Sequence, residues 1–341
     1  LHISTTILTV IQSVSVCLLI YAPMMMKLPM VTDYWISGKF EDDSCPNHFD
    51  VCCEEPLEAP QLKEEKGCGF LNSKGISSRI TSNSEITQFA ELPWSVLVFD
   101  EDHEKKKGAF VCGGSLIHPQ VVITASHCVA TVDDSFIKVR AGEWNLKNND
   151  EPLPHQDQYV KEIIVHPQYK PGILWNDIAL LILKQPFTIN ENIGFICLPP
   201  RKIKINEQLC VASGWGKNAF VKGRHSTVLR KVTLPIVSKN ECQEALRSTR
   251  LGKFFRLHRS FMCAGGEKNK DTCKGDGGSP LICPLTEESG RYVQMGVVSW
   301  GIGCGNNKTP GVYVNVPVFS QWIDRQLKTR NLNTTYYKLR T

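Results

Sequence analysis

A surplus of either charge is nearly absent: 39 Lys and Arg oppose 34 Asp and Glu, and a net +5 over 341 residues is too little for a nucleic-acid surface. The two-Cys/two-His spacing of a metal finger is missing, as are internal repeats and low-complexity tracts, which excludes zinc modules, solenoids and largely disordered chains. Long apolar runs are lacking too. The stretch from Ile7 to Ala22 falls short of the ~20 residues of a membrane-spanning helix and suits the core of a secretory leader. Residues 1–40 are therefore expected to be an apolar leader, either a signal peptide or an incomplete amino terminus, leaving no membrane span in the mature chain. Helical segments are also rare. Asn240 to Arg247 is one, and Val318 to Leu327 is the other, with Phe319, Trp322, Ile323 and Leu327 on one face.

Cysteine, by contrast, is abundant. The 14 cysteines, without a metal-binding spacing, point to disulfides, an oxidising compartment and secretion. With 42% apolar residues the chain can bury a real core. The segment Glu41 to Lys66 is acidic, opposed only by Lys63 and Lys66, and is too short to build a core of its own. Beyond Gly67, short β-branched runs alternate with Gly, Pro and Asn: Ser95 to Phe99, Val121 to Thr124, Phe136 to Ala141, Ile178 to Leu183, Leu209 to Gly214, Val232 to Val237, Val293 to Trp300 and Val312 to Val316. This texture predicts an all-β barrel or sandwich.

Three segments carry candidate chemistry: Thr124-Ala125-Ser126-His127-Cys128, Asn176-Asp177-Ile178-Ala179-Leu180, and Asp271-Thr272-Cys273-Lys274-Gly275-Asp276-Gly277-Gly278-Ser279-Pro280. Singly, each has an ordinary explanation: a structural His, a carboxylate opening a strand, a glycine turn. Together, a His, then an Asp, then a Gly-Asp-x-Gly turn follow the order of a base, its orienting acid and a nucleophile turn.

From about Ile80 onward the sequence resembles the trypsin/chymotrypsin family, through Pro93-Trp94, Cys112-Gly113-Gly114-Ser115-Leu116, Gly214-Trp215-Gly216, Ser299-Trp300-Gly301 and Pro310-Gly311-Val312-Tyr313. The resemblance implies an all-β fold of two six-stranded antiparallel barrels with a C-terminal helix over residues 80–341. It also implies the disulfides Cys112–Cys128, Cys210–Cys283, Cys242–Cys263, Cys273–Cys304 and Cys68–Cys197, and a vestigial triad of His127, Asp177 and Gly277. Gly277 stands where active members carry the nucleophilic serine, and glycine has no oxygen with which to form an acyl-enzyme. The alternative is an active trypsin-like endopeptidase whose displaced nucleophile is Ser279, two residues downstream. Further implied roles are an oxyanion-hole remnant at the N–H groups of Gly275 and Gly277, and a specificity pocket of Asp271, Ser299, Gly301 and Gly311. An activation bond is implied at Arg79–Ile80 with Asp276 as the new terminus's partner, although Ile80-Thr81-Ser82-Asn83 lacks the usual glycine.

Upstream, Cys45-Pro46 and Val51-Cys52-Cys53 resemble the closing half of an arthropod clip domain, giving a partial clip-like segment at 41–55 and a linker at 56–79. Gly67-Cys68-Gly69, Gln88-Phe89-Ala90-Glu91-Leu92-Pro93-Trp94, Ala141-Gly142-Glu143-Trp144, Leu251-Gly252 and Leu257-His258 extend the resemblance to the clip-domain serine protease homologues. That group implies a secreted, non-catalytic cofactor or regulator in haemolymph, within an innate immune cascade such as prophenoloxidase activation and melanisation. Its implied partners are prophenoloxidase, a clip protease or further copies of itself. A microbial-surface binding module is a third reading. Arg247, Arg250, Lys253, Arg256 and Arg259 form an acid-free basic stretch, read as a solvated loop or a dock for an acidic partner or polyanion. Asn307 and Asn333 head glycosylation sequons. No cofactor is expected; Glu143, Asp150 and Glu151 occupy a loop that binds calcium in some relatives, with too few ligands to define a metal site.

Overall fold

The computed structural model describes residues 67–72, 75, 85–101, 109–148, 150–203, 209–217, 225–268, 270–273, 275–285, 290–305 and 308–339. All fall within the compact unit Gly67–Thr341. The leader, the clip-like segment, most of the linker, Arg79–Ile80 and Asn307 lie outside the described residues.

Strands β1 (Ser95–Asp100), β2 (Ala109–His118), β3 (Val121–Thr124), β4 (Ile137–Ala141), β5 (Gln156–Val165) and β6 (Ala179–Leu183) close into a barrel in the order β1-β2-β3-β6-β5-β4. A second closed barrel runs β10-β11-β12-β9-β8-β7, from β7 (Leu209–Gly214), β8 (Arg230–Val237), β9 (Phe261–Ala264), β10 (Pro280–Pro284), β11 (Tyr292–Trp300) and β12 (Gly311–Asn315). Neighbouring strands pair antiparallel throughout. Closure leaves no strand edge open to pair with another chain. The short helix α1 (Ser126–Val129) follows β3, α2 (Lys239–Arg247) follows β8 and α3 (Val316–Lys328) follows β12.

The period-two pattern of a half-buried strand is clear in β4, where Ile137, Val139 and Ala141 are buried and Lys138 and Arg140 face outward. Helix α2 starts at a capping box: the Ser238 hydroxyl accepts the Glu241 N–H, and the Glu241 carboxylate accepts the Ser238 N–H. Helix α3 buries Phe319, Trp322, Ile323 and Leu327. One apolar core joins the barrels, with Trp94, Leu97 and Leu180 clustering with Ile282, Val297 and Val314 and with the inner face of α3. The structure contains the disulfides Cys68–Cys197, Cys112–Cys128, Cys210–Cys283, Cys242–Cys263 and Cys273–Cys304. Beside the first of these, Gly69 donates to the Phe195 carbonyl at 2.7 Å and accepts from the Tyr292 N–H at 2.8 Å, so the chain from Gly67 packs on the body of the unit.

Strands β2, β5, β9 and β10 were not anticipated from the sequence. In β2 the reason is Gly113-Gly114, which reads as a turn. The glycines are there because neighbours come close: a Cβ on Gly114 would lie 2.8 Å from Val122 Cγ1, and one on Gly113 would lie 2.0 Å from Ser279 Oγ. Gly113→Ala should therefore destabilise the protein by about 1–3 kcal/mol in urea unfolding, with part of the loss recovered when Ser279→Ala is added. An equal loss in both backgrounds would contradict this packing.

Candidate functional site

His127 sits in α1, one residue before the half-cystine Cys128 that ties this turn to β2. The Ser126 hydroxyl donates to the Ile178 carbonyl at 2.6 Å, which fastens α1 to the chain entering β6. Asp177 lies two residues before the first residue of that strand, with its side chain fully buried. Three donors converge on its carboxylate: the His127 backbone N–H at 2.8 Å, His127 Nδ1 at 2.7 Å and the Ser299 hydroxyl at 2.6 Å. An ionised carboxylate only accepts, so Nδ1 carries the proton and Nε2 is left as the ring's acceptor. This is the tautomer a general base needs.

The open face of the imidazole meets Gly277. A Cβ placed there would lie 2.9 Å from His127 Nε2 and 3.4 Å from Cys112 Sγ. The turn carrying Gly277 is pinned to both barrels: Gly113 donates to the Gly277 carbonyl at 2.9 Å, and Gly278 donates to the Val298 carbonyl at 2.9 Å. Ser279 points elsewhere. It is buried, its hydroxyl lies against Gly113 and Gly214, and no hydrogen bond joins it to His127 among the described residues. Cys112, His127 and Cys128 bring ligand-type atoms together, but the two sulfurs are joined in a disulfide and offer no thiolate to a metal.

Gly275 adopts φ 97°, in the left-handed region. Its neighbour is His225, whose Cε1 would lie 2.6 Å from a Cβ on Gly275 and whose ring meets Phe110 edge to face at 6.1 Å. Sequence reasoning missed His225, which belongs to no motif and reaches the site only through the fold.

Of the four residues grouped as a specificity pocket, two are in contact in the structure. Asp271 and Gly311 are adjacent, since a Cβ on Gly311 would lie 2.9 Å from Asp271 Oδ1. Ser299 is committed to Asp177, and Gly301 faces the Gly303 carbonyl. Asp271 accepts the N–H groups of Thr272 at 2.8 Å and Gly305 at 3.1 Å. It lines a cavity of about 340 Å³ together with Asp276, Ser213, Lys217 and Arg230. Asp276 is deeper and is held by the N–H groups of Gly216 at 2.8 Å and Cys273 at 2.9 Å. Burial raises both carboxyls, that of Asp271 to about 6.

A base, its orienting acid and a glycine turn set between two β-barrels are the parts of one family. The family model described as Trypsin matches residues 81–323. The chain belongs to the trypsin family. Phenoloxidase-activating factor 2 of Galleria mellonella is 48% identical over 83% of this chain and 97% of its own length. Inactive CLIP domain-containing serine protease A28 of Anopheles gambiae is 40% identical over 86% of this chain and 81% of its own length. Inactive CLIP domain-containing serine protease A8 of the same species is 38% identical over 84% and 80%.

In this trypsin-family chain the Glu143 carboxylate is met by protein side chains, of which Arg140 is the cation. Burial first, and then the facing Glu151, raise the Glu143 carboxyl, while Arg140 and His155 each approach its Oε2 at 3.2 Å. Asp150 turns instead to Asn148. Three carboxylates by themselves supply fewer than the roughly six to eight oxygens calcium takes. Asn333 is exposed, and its side chain caps a short turn by accepting the Thr335 N–H at 2.9 Å. No helix among the described residues is long and apolar enough to cross a membrane.

The raised Asp271 pKa sets a pH dependence. The unfolded carboxyl ionises near its ordinary 3.8 and the folded one near 6. Folding therefore favours the neutral acid, and the stability present at low pH is lost as pH rises through 6. Asp271→Asn should be more stable than the parent by up to about 2 kcal/mol at about pH 7.5, with the gain vanishing by about pH 4, in denaturant titrations at the two pH values.

Proposed function

We propose that this protein is a secreted, non-catalytic member of the trypsin family that works by binding, as a cofactor or regulator of an innate immune protease cascade such as prophenoloxidase activation in haemolymph. One observation carries the non-catalytic reading: the acceptor face of His127 looks onto Gly277, which has no hydroxyl or thiol to deprotonate. Loss of the nucleophile in a comparable hydrolase costs about 10⁶-fold in turnover, or about 8 kcal/mol of barrier. Ser279 does not replace it, because its hydroxyl is packed on Gly113 behind the turn. A displacement of about 1 Å already costs about a hundredfold, and Ser279 would have to leave its seat entirely.

The rest of the apparatus then serves as scaffold. Asp177, His127 and Ser299 lock the junction of the barrels, and Gly275 and Gly277 present backbone amides with no oxyanion to receive. The cascade role is supported by the relatives, which include a phenoloxidase-activating factor and chains named inactive clip-domain proteases. Its partners on this reading are prophenoloxidase, an activating clip protease or further copies of itself.

With purified components, adding the protein to a prophenoloxidase and its activating protease should change phenoloxidase activity or the size of the complexes formed, while a fluorophosphonate probe leaves the protein unlabelled. Unchanged activity and assembly overturn the cascade role. Covalent labelling overturns the non-catalytic reading.

A further inference from the structure

Two surface loops that the triad does not use lie side by side. Leu174, from the loop between β5 and β6, packs with Leu251, Phe255 and Trp300 over the buried Leu246 and Leu257. Trp175 stacks on His258 with ring centroids 4.4 Å apart and planes 9° from parallel. The Ser260 hydroxyl accepts the Asn176 N–H at 3.2 Å and lies 2.8 Å from His258 Nδ1. Between the loops is a cavity of about 340 Å³ lined by Lys170, Trp175, Asn176, His258 and Arg259.

The charge here is one-sided. Arg247 is engaged with Glu244 and with the Phe255 carbonyl. Lys170, Arg250, Lys253, Arg256 and Arg259 are exposed, and none of them forms an ion pair among the described residues. Lys170 and Arg259 make the cavity electropositive, and burial first, then Arg259 and Lys239, hold the His258 imidazole below its ordinary range. The same two loops expose apolar side chains: Phe254 is 85% exposed, Ile173 55% and Trp175 40%. One face of the Phe254 ring is covered by Lys253 Nζ, 5.2 Å from its centroid, and His258 covers one face of Trp175.

We propose that this face binds an acidic peptide segment of a protein partner, with a carboxylate seated in the cavity between Lys170 and Arg259 and a neighbouring apolar side chain against Phe254. Five cations without an ion pair among the described residues set the sign of the occupant. The exposed Phe254 and Ile173 set its class, since a sulfated polysaccharide is satisfied by cations alone and gains nothing from an exposed aliphatic chain. Gly277 is not among the residues lining the cavity, and the proposal does not depend on the cascade reading.

The test is fluorescence anisotropy of a fluorescein-labelled dodecapeptide alternating Glu and Leu, titrated with the full-length protein. Saturable binding that weakens as salt is raised is expected. The affinity should fall at least about tenfold in Arg256→Glu/Arg259→Glu and several-fold, roughly five, in Phe254→Ala. Thermal unfolding should match the parent, and Arg256→Gln/Arg259→Gln replaces the charge reversal if that variant does not fold. Absence of saturable binding by the parent, or an unchanged affinity in either the charge or the Phe254 variant, overturns the proposal. So does a heparin oligosaccharide that displaces the peptide and binds Phe254→Ala more tightly than the peptide binds the parent, which would make the face a polyanion site.

Discussion

The buried carboxylate of Asp177 is the constraint on which the geometry of the cleft depends. A charge removed from water costs several kcal/mol unless its oxygens are met. Here they are met by donors from both barrels: His127, on the helix after β3, and Ser299, on β11. The network therefore does structural work whether or not any bond is cleaved. Removing one partner would leave a desolvated charge at the seam, so the arrangement has a structural reason to be kept intact.

The turn bearing Gly277 is held on the same principle. Its carbonyl is tied to β2, the next amide to β11, and Ser279 fills the space left by a glycine of β2. The turn is thus anchored at its carbonyl, at the next amide and at the Ser279 side chain. On its far side Asp271 and Asp276 are held by backbone amides rather than by side-chain cations, so burial governs both carboxyls.

Much of this was readable from residue order. His127, Asp177 and Gly277 lie in segments whose order identifies them, and β3 and β7 have the limits their β-branched runs suggest. The failures have physical causes. Strand β5, Gln156–Val165, opens with polar residues and buries only Val160, so its alternation is faint. Strand β10 opens with a proline after a glycine turn and reads as loop. The bond from the Ser299 hydroxyl to Asp177 also leaves no trace in the sequence, because the side a strand residue faces depends on register across sheets rather than on neighbours in sequence. His225 against Gly275, and the stack of Trp175 on His258, join loops far apart in the chain and carry no local signature.

The bridge from Cys68 to Cys197 spans a sequence separation of 129 residues and anchors the chain at the very start of the compact unit. A backbone cut anywhere between Cys68 and Glu85 would yield two polypeptides that still travel as one molecule. Proteolytic processing there would leave the mass on a non-reducing gel unaltered, and whatever precedes Cys68 would remain leashed to the body of the protein.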